Sequence, residues 1–142
     1  MTVPVIEVAG PDVAGDIEAA LLAELRQRAR QGRNEAVTLS VTATDGTLVA
    51  GLGGATSYGW LLIRMLWVVP ELRRQGYGRA LVGDALRRAK SLGCHSAWLD
   101  TSDEDARQFY LGLGFEVFGI LQNQGGQVPP GHERWFMKRH IS

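Results

Sequence analysis

The chain has 142 residues, a length that predicts a single domain over residues 1–142. Its 15 basic and 15 acidic side chains give a net charge of zero, so no strong field favours nucleic acid or an anionic membrane, and neither partner is expected. The single cysteine cannot form an internal disulfide, and no charged segment followed by an apolar stretch opens the chain, so we expect a cytoplasmic location without a signal peptide.

Hydrophobic periodicity and turn residues predict a mixed α/β chain. Apolar residues recur every three or four positions in the expected helices, the first of which begins at Asp12 or Asp16 and stops at Gly32. In chain order, the predicted elements are a strand at 3–8, that helix, strands at 36–44, 47–55 and 60–69, a helix stopped by Gly93, a strand at 96–101, a helix at 103–111, and strands at 115–121 and 133–139. This order predicts a mixed sheet with helices on its faces.

Glycine marks two places in the antiparallel strands. Asp45-Gly46 is the strongest short signal for a β-hairpin. The cluster of Gly51, Gly53 and Gly54 lies inside an apolar run rather than between a strand and a helix. It therefore predicts close packing of two backbones or a β-bulge.

Residues 66–83 run from an apolar strand through Pro70 into a glycine-spaced basic turn that opens a helix. Gly76 and Gly78 can adopt backbone angles closed to other residues, so the N–H groups around residues 74–79 can converge on a diphosphate at the helix N-terminus. Arg73, Arg74 and Arg79 add positive charge. The alternative is a plain solvated turn. A Walker loop and a dinucleotide fingerprint are both excluded, because no Lys-Ser or Lys-Thr pair follows Gly78 and position 81 is Leu.

This segment resembles the acetyl-coenzyme A motif of the GNAT superfamily of N-acetyltransferases. The matching positions are Leu66, Val68, Pro70, Arg73, Gly76 and Gly78. A second block at residues 106–115 also matches, since Phe109-Tyr110 near a helix end is followed after three residues by Gly114-Phe115. Together the two motifs cover residues 47–121 well.

The resemblance implies a GNAT-type α/β fold, with a mixed, mainly antiparallel central sheet of about six to seven strands flanked by helices and splayed near the acetyl-CoA site. It implies acetyl transfer from acetyl-CoA, the co-substrate, to the primary amine of a small metabolite by direct attack in a ternary complex, without a metal. Main-chain N–H groups of Trp67, Val68 and Val69 would polarise the thioester, and Tyr110 would be the general acid. The residues expected to hold acetyl-CoA are Trp67, Val68, Val69, Arg73, Arg74, Gln75, Gly76, Tyr77, Gly78, Arg79, Asp103 and Phe109.

Two positions depart from the family pattern. Arg64 stands where many members carry a Glu base, and an always-charged guanidinium cannot accept a proton. Arg64 either binds a carboxylate of the acceptor or pairs internally with Glu116 or Asp100, and strand alternation would place Leu62, Leu66 and Val68 on its face. Asp103 stands where the family often has Asn, and we expect it to cap a helix. The remaining candidates for the base are water and three side chains, those of Asp100, His132 and Glu133.

The acceptor site is the least specified part of the sequence. Tyr58, Trp60, Arg64 and His132, with the loop over residues 122–132, are expected to line it. Two other functions stay open at this point: an acyl-CoA-binding sensor or structural domain with little turnover, and a protein or peptide N-acetyltransferase. A homodimer is also left open.

Overall fold

The computed structural model describes residues 4–28 and 30–142. Its contacts divide the chain into two units that meet between Gln31 and Gly32, and each is described by itself. The first unit contains helix α1, Pro11–Arg28, which has Asp12 in its first turn and Arg28 in its last, in agreement with the helix dipole. No residue of α1 is buried among those described. The single-domain organisation stays a prediction.

The predicted strand at residues 3–8 is wrong for its described part. Residues 4–10 have no regular structure, and Val3 lies outside the described residues. The apolar side chains Val5, Ile6 and Val8 are exposed, and no strand in the described part of the chain pairs with them. A strand needs a hydrogen-bonding neighbour, which periodicity alone does not supply.

The second unit is a six-stranded sheet with two helices. Its elements are β1 (Ala36–Thr42), β2 (Leu48–Ser57), β3 (Trp60–Val68), a 3₁₀ turn (Pro70–Leu72), α2 (Tyr77–Ser91), β4 (Ser96–Thr101), α3 (Glu104–Gly112), β5 (Glu116–Gln122) and β6 (Glu133–His140). The spatial order is β1-β2-β3-β4-β6-β5, and only the pair β3 and β4 is parallel. The expected mixed, mainly antiparallel sheet is confirmed. No helix in the described ranges is long and apolar enough to cross a bilayer.

One hydrophobic core joins α2, α3 and one face of the sheet. The apolar stripe that the sequence predicts for α2 is buried and packs beside strand residues such as Leu52, Leu61 and Leu99; it consists of Leu81, Val82, Ala85, Leu86 and Ala89. Tyr110 of α3 and Phe115 complete the same cluster. Burying each large apolar side chain contributes roughly 1.5–3 kcal/mol, so this cluster fixes both helices on the inner face of the sheet.

A β-bulge at Arg64 changes the direction of the side chains along β3. Gly53 faces Met65 and Gly54 faces Ile63, so Arg64 is an extra residue on β3. A Cβ on Gly54 would overlap the Leu62 carbonyl oxygen, which confirms the close backbone packing predicted for the glycine cluster.

The bulge corrects the face that we predicted for Arg64. Leu61 and Ile63 point into the core before it, whereas Leu66 and Val68 pack against the core after it. Arg64 is exposed on the outer face, so it does not share a face with Leu66 and Val68. The simple two-residue alternation fails because the extra residue shifts its phase.

Candidate active site

Strands β3 and β4 separate after a short parallel pairing. Only Trp60, Leu61 and Leu62 pair with β4. Beyond them lies an open cleft of about 1150 Å³, and its walls are the second half of β3, the turn after it, the start of α2, the end of β4, and α3. The expected splay of the sheet is confirmed, and both predicted motifs border the cleft.

The turn before α2 directs backbone N–H groups at the cleft. Arg74 has φ of 62° and Gly76 has φ of 92°, both in the left-handed region. The first hydrogen bond into the helix runs from the Ala80 N–H to the Gly76 carbonyl at 3.0 Å, so the N–H groups of residues 76–79 precede the helical ladder. A Cβ on Gly76 would meet no atom within 4 Å. The turn is thus an open concavity of N–H groups at a helix N-terminus, which suits an anion.

Arginine side chains supply charge around this concavity. Arg73, Arg74 and Arg79 line the cleft, and the Arg73 Nε donates to the Val68 carbonyl at 2.8 Å. Within residues 4–28 and 30–142, none of the three forms an ion pair. Their charge therefore adds to the helix dipole without an internal counter-ion.

Not every residue of the turn reaches the cleft. Gln75 donates through its side chain to the Glu71 carbonyl at 3.1 Å. Neither Gln75 nor Tyr77 is among the residues that line the cleft, so their proposed contact with acetyl-CoA would come from the main chain.

The free edge of β3 presents alternate N–H groups to the cleft. The Val69 N–H donates to the Val49 carbonyl of β2 at 2.8 Å, so it is already engaged. Because strand N–H groups alternate in direction, that of Trp67 also points to β2, while those of Leu66 and Val68 point into the cleft. Of the three N–H groups predicted to polarise the thioester, only that of Val68 points into the cleft, and the role itself stays a prediction. The N–H of Leu66, which was not among the three, points into the cleft as well.

Tyr110 forms part of the cleft floor. Its ring packs edge-to-face with Phe109 and Phe115, at centroid distances of 5.0 and 5.3 Å. The side chain is only 5% exposed, and burial raises the pKa of Tyr110 to about 12. No described residue hydrogen-bonds to its hydroxyl, although the residue borders the cleft. The phenol is therefore neutral at physiological pH and can donate a hydrogen bond to a ligand.

Asp103 caps α3, as expected. Its Oδ1 accepts from the Asp105 N–H at 3.2 Å, and its own N–H donates to the Thr101 hydroxyl at 3.2 Å. Asp103 also lines the cleft, and a contact with acetyl-CoA stays a prediction. Phe109 packs against the start of α2, where a Cβ on Gly78 would lie 3.2 Å from the Phe109 ring. Gly78 thus allows α2 and α3 to approach each other at the cleft.

Arg64 and Asp100 lie on opposite walls of the cleft. Asp100 forms an ion pair with Arg134, with 2.6 Å between the Asp100 Oδ2 and the Arg134 Nε. Arg64 forms no ion pair within the described part of the chain, so the predicted internal pair with Asp100 or Glu116 is wrong. The bulge moves Arg64 to an exposed position, and β6 supplies the cation for Asp100 instead. Nothing in the sequence pattern marks Arg134 as this partner.

The other predicted acceptor residues lie away from the cleft. Tyr58 is in the turn between β2 and β3. Trp60 is the first residue of β3, at the end of the strand away from the cleft, and it packs against His95 there. His132 does not line the cleft either, but its Nε2 is 3.3 Å from the Ser102 hydroxyl just beyond β4. Among the β3 residues that line it after Arg64, the exposed ones are Met65 and Trp67. The glycine signal for a bulge could have identified this pair, since a bulge exchanges the faces of the residues that follow it.

Comparisons with known proteins agree with this architecture. The acetyltransferase (GNAT) family model matches residues 11–115. An acetyltransferase of Agrobacterium fabrum is 33% identical over 114 residues, which cover 78% of this chain and 80% of the relative. The blasticidin-S acetyltransferase of Streptomyces morookaense is 33% identical over 113 residues, which cover 75% of this chain and 80% of that protein. A solved structure from Agrobacterium tumefaciens, of a protein assigned to the acetyltransferases, has a TM-score of 0.84 at 26% identity and 99% coverage of both chains.

Proposed function

This chain belongs to the GNAT family of acetyltransferases, and we propose that it transfers the acetyl group of acetyl-CoA to the primary amine of a small metabolite. The observation that carries the proposal is the turn at Gly76, an arginine-lined concavity of N–H groups that opens onto the same cleft as the Tyr110 ring. A diphosphate fits the concavity, and the cleft leads from it to the free edge of β3. Blasticidin-S acetyltransferase, one of the relatives, is named for a small acceptor, which supports an acceptor of this size.

The residues around the cleft suggest how the transfer proceeds. The amine nitrogen attacks the acetyl carbonyl carbon, and a C–N bond forms while negative charge develops on the carbonyl oxygen. The N–H groups of Leu66 and Val68 point to the position where that oxygen would lie, and they donate to it. The C–S bond then breaks, and the departing sulfur takes a proton.

Tyr110 is the proposed proton donor. With a pKa of about 12, the phenol is fully protonated at neutral pH, but complete proton transfer to a thiolate with a conjugate acid near ~8.5 is uphill. We therefore expect the hydroxyl to stabilise the leaving sulfur mainly by a hydrogen bond, and the phenolate that follows proton transfer to be short-lived. The phenol that gives its proton to the sulfur is reprotonated from solvent, and the proton lost by the amine leaves by a separate route, so the net products are an amide and a thiol.

Asp100 is the proposed acceptor of the amine proton. It lines the wall opposite β3, and Arg134 holds its carboxylate at 2.6 Å. A route through water is the alternative that its replacement by Asn would reveal, because turnover would then persist.

Binding experiments test the diphosphate assignment directly. We would titrate the protein with acetyl-CoA and with S-acetylpantetheine, which lacks the diphosphate. Arg74→Gln should weaken acetyl-CoA at least tenfold and leave S-acetylpantetheine unchanged, because a charge-assisted contact contributes roughly 1.5–3 kcal/mol. Arg87→Gln is the matched control, since Arg87 is on the exposed side of α2 and pairs with Asp84. Equal losses for both ligands would refute the assignment.

Turnover distinguishes an enzyme from a sensor domain. Thiol release from acetyl-CoA would be followed with a panel of primary amines, and the products identified by mass. Pairs of an amine and the corresponding alcohol separate N-acetylation from O-acetylation. Tight acetyl-CoA binding without thiol release would favour the sensor, and selective use of peptide N-termini would favour a protein acetyltransferase.

A further inference from the structure

An exposed apolar surface borders the cleft on the outer face of β3. Met65 and Trp67 are 67% and 44% exposed, both line the cleft, and both follow the bulge at Arg64. Residues two apart on a strand point the same way and lie roughly 6.5 Å apart, so the two side chains form one surface. We call this surface the Met65–Trp67 platform.

Glycines of β2 allow the platform side chains to lie close to the sheet. The register places Gly53 opposite Met65 and Gly51 opposite Trp67. A Cβ on Gly53 would lie 3.0 Å from the Met65 Cε, so the methionine side chain lies down over the glycine. Any side chain at position 53 would push Met65 outward. The result is a flat apolar area rather than a narrow groove, and it suits a planar group.

Charged groups flank the platform on two sides. Arg64 adjoins it at the bulge and has no ion-pair partner in the described ranges. Asp100 lies across the cleft, held by Arg134. A ligand on the platform would thus meet a cation at one edge and a carboxylate on the facing wall. An α-amino acid carries the complementary groups, a carboxylate and an amine.

We propose that the Met65–Trp67 platform is the acceptor subsite and that it selects a small amine carrying both a flat apolar ring and a carboxylate. The ring stacks on Trp67 and Met65, the carboxylate binds the Arg64 guanidinium, and the amine turns towards Asp100 and the acetyl carbon. This inference rests on the proposed acetyl transfer and adds the acceptor class to it. Arg64, Met65 and Trp67 are specificity residues here, whereas Asp100 faces the reacting nitrogen.

Four amines separate the two recognition elements. L-Tryptophan has the ring and the carboxylate, tryptamine only the ring, L-alanine only the carboxylate, and ethylamine neither. We expect the KM of L-tryptophan to be at least tenfold below those of tryptamine and L-alanine, with ethylamine the poorest acceptor. Thiol release measures turnover, and calorimetry of each amine with the enzyme and CoA measures binding independently of chemistry.

Variants assign each preference to its residue. Arg64→Gln should remove the advantage of L-tryptophan over tryptamine, and Trp67→Ala should remove its advantage over L-alanine. Gly53→Val should raise the KM of ring-bearing amines at least threefold by lifting Met65. Ile120→Val is the control and should keep the preferences, because Ile120 is an exposed apolar residue of β5 that does not line the cleft.

Two results would overturn the inference, and they differ from failure of the proposed function. If L-tryptophan neither binds nor reacts better than ethylamine, the platform is not the acceptor subsite. If the preferences survive both Arg64→Gln and Trp67→Ala, other residues select the acceptor. Failure of acetyl-CoA itself to bind would instead refute the acetyl-transfer proposal.

Discussion

Replacing Tyr110 by phenylalanine tests whether a buried phenol serves chemistry rather than packing. The ring contacts with Phe109 and Phe115 would remain, and no described residue loses a hydrogen bond when the hydroxyl is removed. We therefore expect the free energy of unfolding at pH 7 to change by less than about 0.5 kcal/mol. Turnover should fall by roughly 10²–10⁴, the usual contribution of a positioned general acid, while acetyl-CoA affinity stays nearly constant.

The raised pKa of Tyr110 gives this prediction a second measurement. Its folded-state pKa of about 12 exceeds the ordinary value of 10, because burial penalises the phenolate. The contribution of the neutral Tyr110 phenol to stability is therefore fully present below pH 10 and is lost as pH rises from 10 to 12, since in that window Tyr110 ionises in the unfolded chain but not in the folded one. A shift of about two units corresponds to about 3 kcal/mol. Tyr110→Phe should remove this alkaline loss.

Tyr58→Phe is the matched control for both measurements. Tyr58 is half exposed in the turn before β3, outside the cleft, so its replacement should alter neither turnover nor alkaline stability. Denaturant unfolding across pH 8–12 and thiol release at neutral pH provide the data. Equal losses of acetyl-CoA affinity and turnover in Tyr110→Phe would show that Tyr110 binds or packs instead of acting as the acid. Unchanged turnover would exclude the catalytic role altogether.

Two further substitutions test the turn and the helix cap. Gly76→Val should abolish acetyl-CoA binding in calorimetry, because the side chain enters the concavity and opposes the φ of 92°. Gly93→Val is the control for backbone strain, since Gly93 has a similar φ of 89° at the other end of α2. Comparable acetyl-CoA binding by the two variants would contradict the assignment. Asp103→Ala should lower the free energy of unfolding by about 0.5–2 kcal/mol, because the hydrogen bond from the Asp105 N–H is lost. Asp103→Asn should keep most of that stability. A loss of acetyl-CoA affinity in Asp103→Asn at unchanged stability would instead reveal a cofactor contact.

The sequence predicted the elements that local chemistry specifies. Strand β4 begins and ends at the predicted residues, and α3 begins just after its predicted cap, Asp103. The glycines of β2 predicted close backbone packing or a bulge, and the spacing of Gly76 and Gly78 predicted the turn. Each of these features depends on residues within a few positions, so a short pattern contains the information.

The errors all concern partners that are distant in sequence. The apolar segment at 3–8 predicts a strand, but strand formation depends on a neighbour that no local pattern reveals. An internal pair with Glu116 or Asp100 was one of two predictions for Arg64, yet Arg134, 34 residues beyond Asp100, holds the Asp100 carboxylate. The directions of the N–H groups on β3 likewise depend on its register with β2, which the register shift at Gly53 and Gly54 sets.

The bulge links these departures into one arrangement. Arg64 is the extra residue of β3, and its insertion turns Leu66 and Val68 inward while Met65 and Trp67 face outward. The same shift directs the Leu66 and Val68 N–H groups into the splay, where a thioester oxygen would lie. A carboxylate at position 64 would stand on the wall that these N–H groups occupy, whereas Asp100 stands across the cleft from them. In the proposed mechanism, a cation on β3 and a carboxylate on β4 would separate acceptor recognition from proton removal, and a single acceptor with a carboxylate near its amine would bind to both walls at once.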